Sequence, residues 1–387
     1  MSRQHWSLKR VVVVSLSVVV WLAAGLGAYL YVGSHRTAHG LAPKRPTQSK
    51  AQAKNSPLSR LPGTLYLVQG GTLYRLRRGV FTPVLNSPGG AAGWTQPAFT
   101  PDGRNLVLVR RDYAYSDLYL IDPAGNVRAQ LTHNANPTVE LNHWAFYPRP
   151  SSDGALFFSY DPKDRFNYYD VVFAVWSMPM TGGIGQAQQW TLPEQFTGGD
   201  VQPVPLPSGA VLYTKYAFDQ QLGKILGQIY LTTSAGTVGE ALTPHEDDCT
   251  QPALSPDGQQ LAMICTGGKQ FANIEIAQFD GTKLGSRHVL VAGQLAAQPT
   301  WAPGGNSIVY FAPQGVNGHF QLWQQQARAE PGSPTATQTP PPASPPIPSQ
   351  GGTGGTSTPT PGAVPPPPVR LTSDLDFDAT STIAWHG

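Results

Sequence analysis

The chain has 387 residues, rich in Gly (41) and Pro (38), with two cysteines and a formal net charge of +3. The charge is uneven: residues 1–60 hold nine Lys or Arg and no Asp or Glu, which leaves the remainder at a net −6. A mildly acidic folded region is a poor fit to a phosphate backbone, so no nucleic-acid partner is expected, and two cysteines exclude a disulfide framework or a zinc pattern.

Residues 1–10 form a basic tail with Arg3, Lys9 and Arg10. Residues 11–32 are uncharged and apolar apart from Ser15 and Ser17. A helix of that length spans ~33 Å, the hydrocarbon thickness of a bilayer. Trp6, Tyr29 and Tyr31 sit where an interfacial aromatic belt would. The run outlasts the apolar stretch of a cleaved signal peptide, so it is predicted to remain as a single transmembrane helix, making the lipid bilayer a partner. Basic residues flank both ends (Arg3, Lys9 and Arg10; Arg36, Lys44 and Arg45), so charge alone does not set the orientation. Residues 33–60 are polar and basic and read as a flexible stalk with a reach of ~30 Å.

From residue 61 short strands follow closely. Segments 64–68, 72–76 and 81–85 look like the second, third and fourth strands of a blade that lacks its first. A phrase then recurs: Gln96-Pro97-Ala98-Phe99 before Pro101-Asp102-Gly103, Gln251-Pro252-Ala253-Leu254 before Pro256-Asp257-Gly258, and Gln298-Pro299-Thr300-Trp301 before Pro303-Gly304-Gly305. Looser copies begin at Trp144 and Gln202. Pro-Asp-Gly suits a three-residue hairpin loop, with Gly in the left-handed position. A period of ~40–50 residues with short strands in each unit is that of a β-propeller. Proline in each first strand agrees, because it cannot donate to a ladder and is confined to sheet edges such as the one facing the channel. First strands at Gln96, Trp144, Gln202, Gln251, Gln298 and Thr380 predict an all-β, six-bladed β-propeller over 61–387, with segment 380–385 completing the first blade.

These repeats, with their Leu-Thr endings at 131–132, 242–243 and 371–372, resemble the TolB-like (WD40-like) β-propeller family. The resemblance covers 61–387 apart from one insertion, and implies a partner-binding platform or a domain of a larger enzyme. The insertion, 327–368, is nearly pure Pro, Thr, Ser, Gly, Ala and Gln, a composition that buries no core and is predicted disordered. It falls between the third and fourth strands of the last blade, so it reads as a loop within a blade.

Catalytic motifs are missing. There is no Gly-x-Ser-x-Gly elbow and no phosphate loop. His245-Glu246-Asp247-Asp248-Cys249 has Cys where a zincin needs its second His, and Asp374-Leu375-Asp376-Phe377-Asp378 lacks the glycine of a calcium loop. What survives is a rim. Loops joining one blade's last strand to the next blade's first gather at one face, and they carry His133, Glu140, His143, Asp200, Glu246, Asp247, Asp248, Asp374 and Asp376, with Asp378 beside them. Acidic groups focused there suit a basic peptide or a divalent cation such as Ca2+, the one cofactor worth considering. Ordinary polar loops would look the same. Trp144, Trp301 and Trp385 fall at equivalent repeat positions and are expected in the core.

If Pro256-Asp257-Gly258 is the hairpin loop, Ser255 opposes Gln259, and the same register sets Cys249 opposite Cys265. Direct cross-strand neighbours lie ~4.5–5.5 Å apart, within reach of a disulfide; the alternative is two unrelated buried thiols. A bond would belong to an oxidising compartment and favours tail inside, propeller outside. The expectation is therefore an extracytoplasmic, membrane-anchored, non-enzymatic platform for a protein or ligand, against a metal-dependent, lactonase-like propeller hydrolase with its site at the channel mouth.

Overall fold

The computed structural model describes residues 56–162, 171–269, 271–315, 318–327 and 366–387. The predicted tail, the transmembrane helix, most of the stalk and most of the insertion lie outside the described residues. Among those described, no helix is long and apolar enough to cross a membrane.

Six four-stranded antiparallel sheets follow one another around the chain. Blade 1 takes its innermost strand, Ala384–His386, from the C-terminus, followed outward by Thr64–Gln69, Thr72–Arg77 and Val80–Leu85. Blades 2 to 6 begin at inner strands Gly93–Phe99, Trp144–Pro150, Asp200–Pro205, Cys249–Leu254 and Ala297–Trp301. The closing strand is shorter than the predicted 380–385, because Asp378 takes Thr380 into a turn: its carboxylate accepts the Thr380 N–H (2.9 Å) and hydroxyl (2.6 Å). In blade 6 the strand Phe320–Gln326 pairs with Val369–Arg370, so the chain between them leaves and re-enters a single sheet.

Second strands are buried on both faces, which is why they read as continuous apolar runs; Leu106, Val107, Leu108 and Val109 are fully buried. The cores accordingly lie between neighbouring blades rather than at the axis. Leu65, Leu67 and Phe81 of blade 1, for example, pack against Val309, Phe311 and Leu322 of blade 6. Leu58 joins that cluster from a 3-10 turn, Pro57–Arg60, capped by the Ser56 hydroxyl. The stalk therefore ends earlier than expected, since Leu58 has an apolar site to fill.

The Leu-Thr endings also have a physical reason. Where each outer strand leaves its sheet, the Thr hydroxyl accepts an N–H of the third strand: Thr132 from Leu118 (2.9 Å), Thr243 from Ile229 (3.1 Å) and Thr372 from Leu322 (2.9 Å). Thr191 does the same for Val175 (3.0 Å), a copy not preceded by Leu.

The hairpins differ from expectation by one residue. Ser255 pairs with Gln260, not Gln259, its N–H donating to the Gln260 carbonyl (2.8 Å). Asp257 braces the loop by accepting the Gln259 N–H (3.1 Å) and the Ser255 hydroxyl (2.5 Å). Leu254 then faces Leu261, but past a bulge at Gln251-Pro252 the register shifts, and Cys249 faces Cys265. The two sulfurs are bonded at 2.11 Å. In blade 2 the hairpin glycine, Gly103 (φ +66°), is required: a Cβ there would lie 2.3 Å from the ring of His386.

Candidate functional site

One X-Pro step in each inner strand of blades 2 to 6 is a bulge, whereas Arg149-Pro150 and Val204-Pro205 stay in register. Gln96, Tyr147, Gln202, Gln251 and Gln298 all adopt left-handed backbone, φ between +52° and +58°, and the ladder register shifts across each. Left-handed backbone costs a non-glycine residue about 1–2 kcal/mol, so five copies need compensation. Part of it comes from a belt of hydrogen bonds around the axis. The bulge N–H, freed from the ladder, donates to the preceding blade's glutamine side chain: Tyr147 to Gln96 (2.7 Å), Gln251 to Gln202 (3.0 Å) and Gln298 to Gln251 (2.6 Å). Tyr147 has no side-chain amide, so the Gln202 N–H donates to the Ser159 hydroxyl instead (3.2 Å), and the Gln96 N–H donates to the Ser381 hydroxyl (2.8 Å). Burial pushes the Tyr147 phenol above its ordinary value, while hydrogen bonds to Gln202 and Gln96 pull it down.

Below this belt lies a cavity of about 290 Å³ to which all six blades contribute. Its wall has three tiers. Gln202, Gln251 and Gln298 form the inner, polar one. The middle tier is one residue from each blade: Ala98, Arg149, Val204, Ala253, Thr300 and Ala384. The outer tier, toward the hairpin loops, is Phe99, Pro150, Leu254, Trp301 and Trp385. Arg149 is the one charged residue among the described lining residues. Burial pulls its guanidinium down to about 10, so it stays charged at neutral pH. Sequence reasoning did not single it out.

The anticipated acidic rim lies at the other end, and its side chains are mostly held by local partners. Asp200 is fully buried and pairs with Lys215 (3.3 Å); burial, the largest influence, pushes its carboxyl up against the pull of Lys215. Asp247 pairs with Arg287 (2.7 Å), which also binds Glu275. Asp248 accepts the Gly227 N–H (2.7 Å) and the Thr266 hydroxyl. Asp376 meets His319 (3.1 Å), and His143 Nδ1 lies 3.3 Å from the Asp161 carbonyl. His133, Glu140, Glu246 and Asp374 are exposed. Among the described residues no three His, Cys, Asp or Glu come together as a metal site.

One equivalence fails. Trp301 and Trp385 stand at the hairpin end of their inner strands, facing Ile308 and Leu65, whereas Trp144 stands at the opposite end, facing Asp161, and stacks on Phe146 (5.7 Å). The Trp301 ring is buried and donates to the Ala253 carbonyl of the preceding blade (2.9 Å).

This arrangement has counterparts among solved structures. TolB from Acinetobacter baumannii superposes with a TM-score of 0.52 at 19% identity, over 68% of this chain and 61% of that one. The fold is that of a TolB-like six-bladed propeller. The matched region thus spans less than two thirds of that TolB chain. A protein from Agrobacterium tumefaciens assigned as TolB gives 0.46 at 18% identity, over 68% of this chain and 85% of that one. A chain of a nidogen/laminin complex gives 0.47 at 14% identity, over 68% and 89%. No protein-family model matches the sequence, and no curated protein does.

Proposed function

We propose that the protein is a non-enzymatic binding platform: a TolB-like propeller tethered by residues 11–32, with the basic tail inside and the propeller outside the cytoplasm. The reading rests chiefly on one observation. Large apolar side chains stand exposed on the face formed by the second-to-third-strand turns and the blade-to-blade loops: Tyr113 (83%), Phe196 (70%), Leu222 (56%) and Phe218 (53%). Tyr113 comes from blade 2, Phe196 from the loop joining blades 3 and 4, and Phe218 and Leu222 from one hairpin of blade 4. Exposed apolar groups set among polar loops mark protein-interaction surfaces. The carboxylates of the same face favour a basic partner. The Cys249–Cys265 bond supports the outward orientation, because stable disulfides belong to oxidising compartments.

Photo-crosslinking residues placed at Tyr113 and Leu222, and on the opposite face at Arg104 and Lys283, would test this in intact cells. Discrete protein adducts from the first pair alone are expected. Equal labelling from both faces, or adducts from neither, would overturn the reading.

A further inference from the structure

The middle tier of the channel holds a charge with nothing to answer it. Five of the six equivalent positions carry Ala98, Val204, Ala253, Thr300 and Ala384, small or neutral side chains that leave the axial space open. The sixth, Arg149, is set into that space by its pairing with Phe157. Among the described residues no carboxylate pairs with it, and the neighbouring Tyr147 phenol, raised by burial, is uncharged at neutral pH. Arg149 is half-buried at the channel wall, and an ion partly withdrawn from water is ordinarily paired, because desolvating it unpaired is costly. Here the counter-charge is missing and the room for one is present.

We propose that the channel is a binding site for a monocarboxylate with an apolar body, its carboxylate gripped by Arg149. The charge count argues for a monoanion, since one guanidinium has no second cation beside it to balance a phosphate or a dicarboxylate. Guanidinium and carboxylate also match as a two-pronged pair. The neighbouring glutamine amides supply neutral hydrogen-bonding groups on one side of Arg149. On the other, Trp301, Trp385 and Leu254 offer an apolar wall leading to the mouth. A volume of about 290 Å³ fits a short fatty or amino-acid-derived acid, or the last residues of a peptide ending in a free carboxylate. This site opens on the face opposite the platform surface, so it goes beyond that reading and stands or falls without it.

The test uses the full chain in detergent, following tryptophan fluorescence and calorimetry, with hexanoate against hexanamide and acetyl-Leu-Leu carrying a free against an amidated C-terminus. Saturable binding of either acid, at least tenfold tighter than its amide and weakened about tenfold to a hundredfold in Arg149→Met, is expected. Hexanoate binding alone would identify free acids as the source, and the dipeptide alone a chain terminus. Equal binding of acid and amide, or no saturation by either acid at 10 mM, overturns the proposal. Thermal denaturation of ligand-free Arg149→Met gives a second arm. An unchanged or higher midpoint is expected, whereas a clear fall would reveal an anionic partner within the chain and also overturn it.

Discussion

The belt around the channel makes a quantitative claim that Gln251 can test. Its side chain accepts the Gln298 N–H at 2.6 Å, and its own backbone sits at φ +56°. Gln251→Ala removes the acceptor while keeping the left-handed backbone. An amide donor left without its partner costs about 1–3 kcal/mol, and Ala relieves none of the strain. Gln251→Gly removes the same acceptor but adopts φ > 0 freely, recovering about 1 kcal/mol of strain. Part of that recovery is offset by the extra freedom of glycine in the unfolded chain. The expected order of stability is wild type, then Gly, then Ala, with Ala about 1–3 kcal/mol below wild type. Urea denaturation followed by tryptophan fluorescence reads all three, provided the slopes agree so that midpoints report stability. An Ala variant within 0.5 kcal/mol of wild type (roughly the usual noise of a surface substitution) would show that the belt is incidental. A Gly variant less stable than the Ala variant would show that the bulge is not strained.

Two further outcomes follow from the cross-links. The disulfide joins residues 16 apart in sequence, for which loop-closure entropy gives about 3 kcal/mol, so Cys249→Ala/Cys265→Ala should lose about that much in the same assay. Lys215→Met leaves Asp200 buried without its cation and should cost about 3–5 kcal/mol at neutral pH. The Asp200 carboxyl is already raised above its ordinary 3.8 by burial, so its share of stability is present below that value and lost as pH rises through the folded value. Without Lys215 the folded value moves higher still. The deficit of Lys215→Met relative to wild type should therefore shrink as pH falls from 7 toward 4, and a gap that widened on acidification would refute the assignment.

The architecture was legible because its determinants are local. Pro-Asp-Gly loops, apolar second strands and the orphan three-strand set at the start specify hairpins, buried strands and closure without knowledge of distant contacts. Register was not legible in the same way. The Cys249–Cys265 pairing follows from two shifts that cancel: the hairpin loop is one residue longer than a three-residue loop, and the bulge at Gln251-Pro252 inserts one residue on the other side. Proline in the inner strands marks a sheet edge, and in five places, one in each of blades 2 to 6, it also marks a bulge. The telling signal was the residue before it, glutamine in four of the five copies, because a side-chain amide recurring beside a freed N–H has a bonding role to fill.

The candidate site was harder for the same reason. Acidic residues in blade-to-blade loops can be counted from the sequence, but the sequence does not say which of them cap a turn or neutralise a buried lysine. Asp378 does the first and Asp200 the second, while Asp248 accepts the Gly227 N–H from a strand of the preceding blade. Arg149 was hidden by the choice of landmark. Aligning blade 3 on Trp144 sets that residue against Trp301, although the two stand at opposite ends of their strands. Aligning it on Tyr147-Pro148 sets bulge against bulge, and Arg149 then falls where the other blades carry Ala98, Val204, Ala253, Thr300 and Ala384. The second alignment is the physical one. A bulge fixes the register of two strands and the direction of every side chain after it, while a large aromatic can fill an inter-blade gap at either end of a strand. Read that way, the blade that departs most from the repeat is the one that places a cation at the axis.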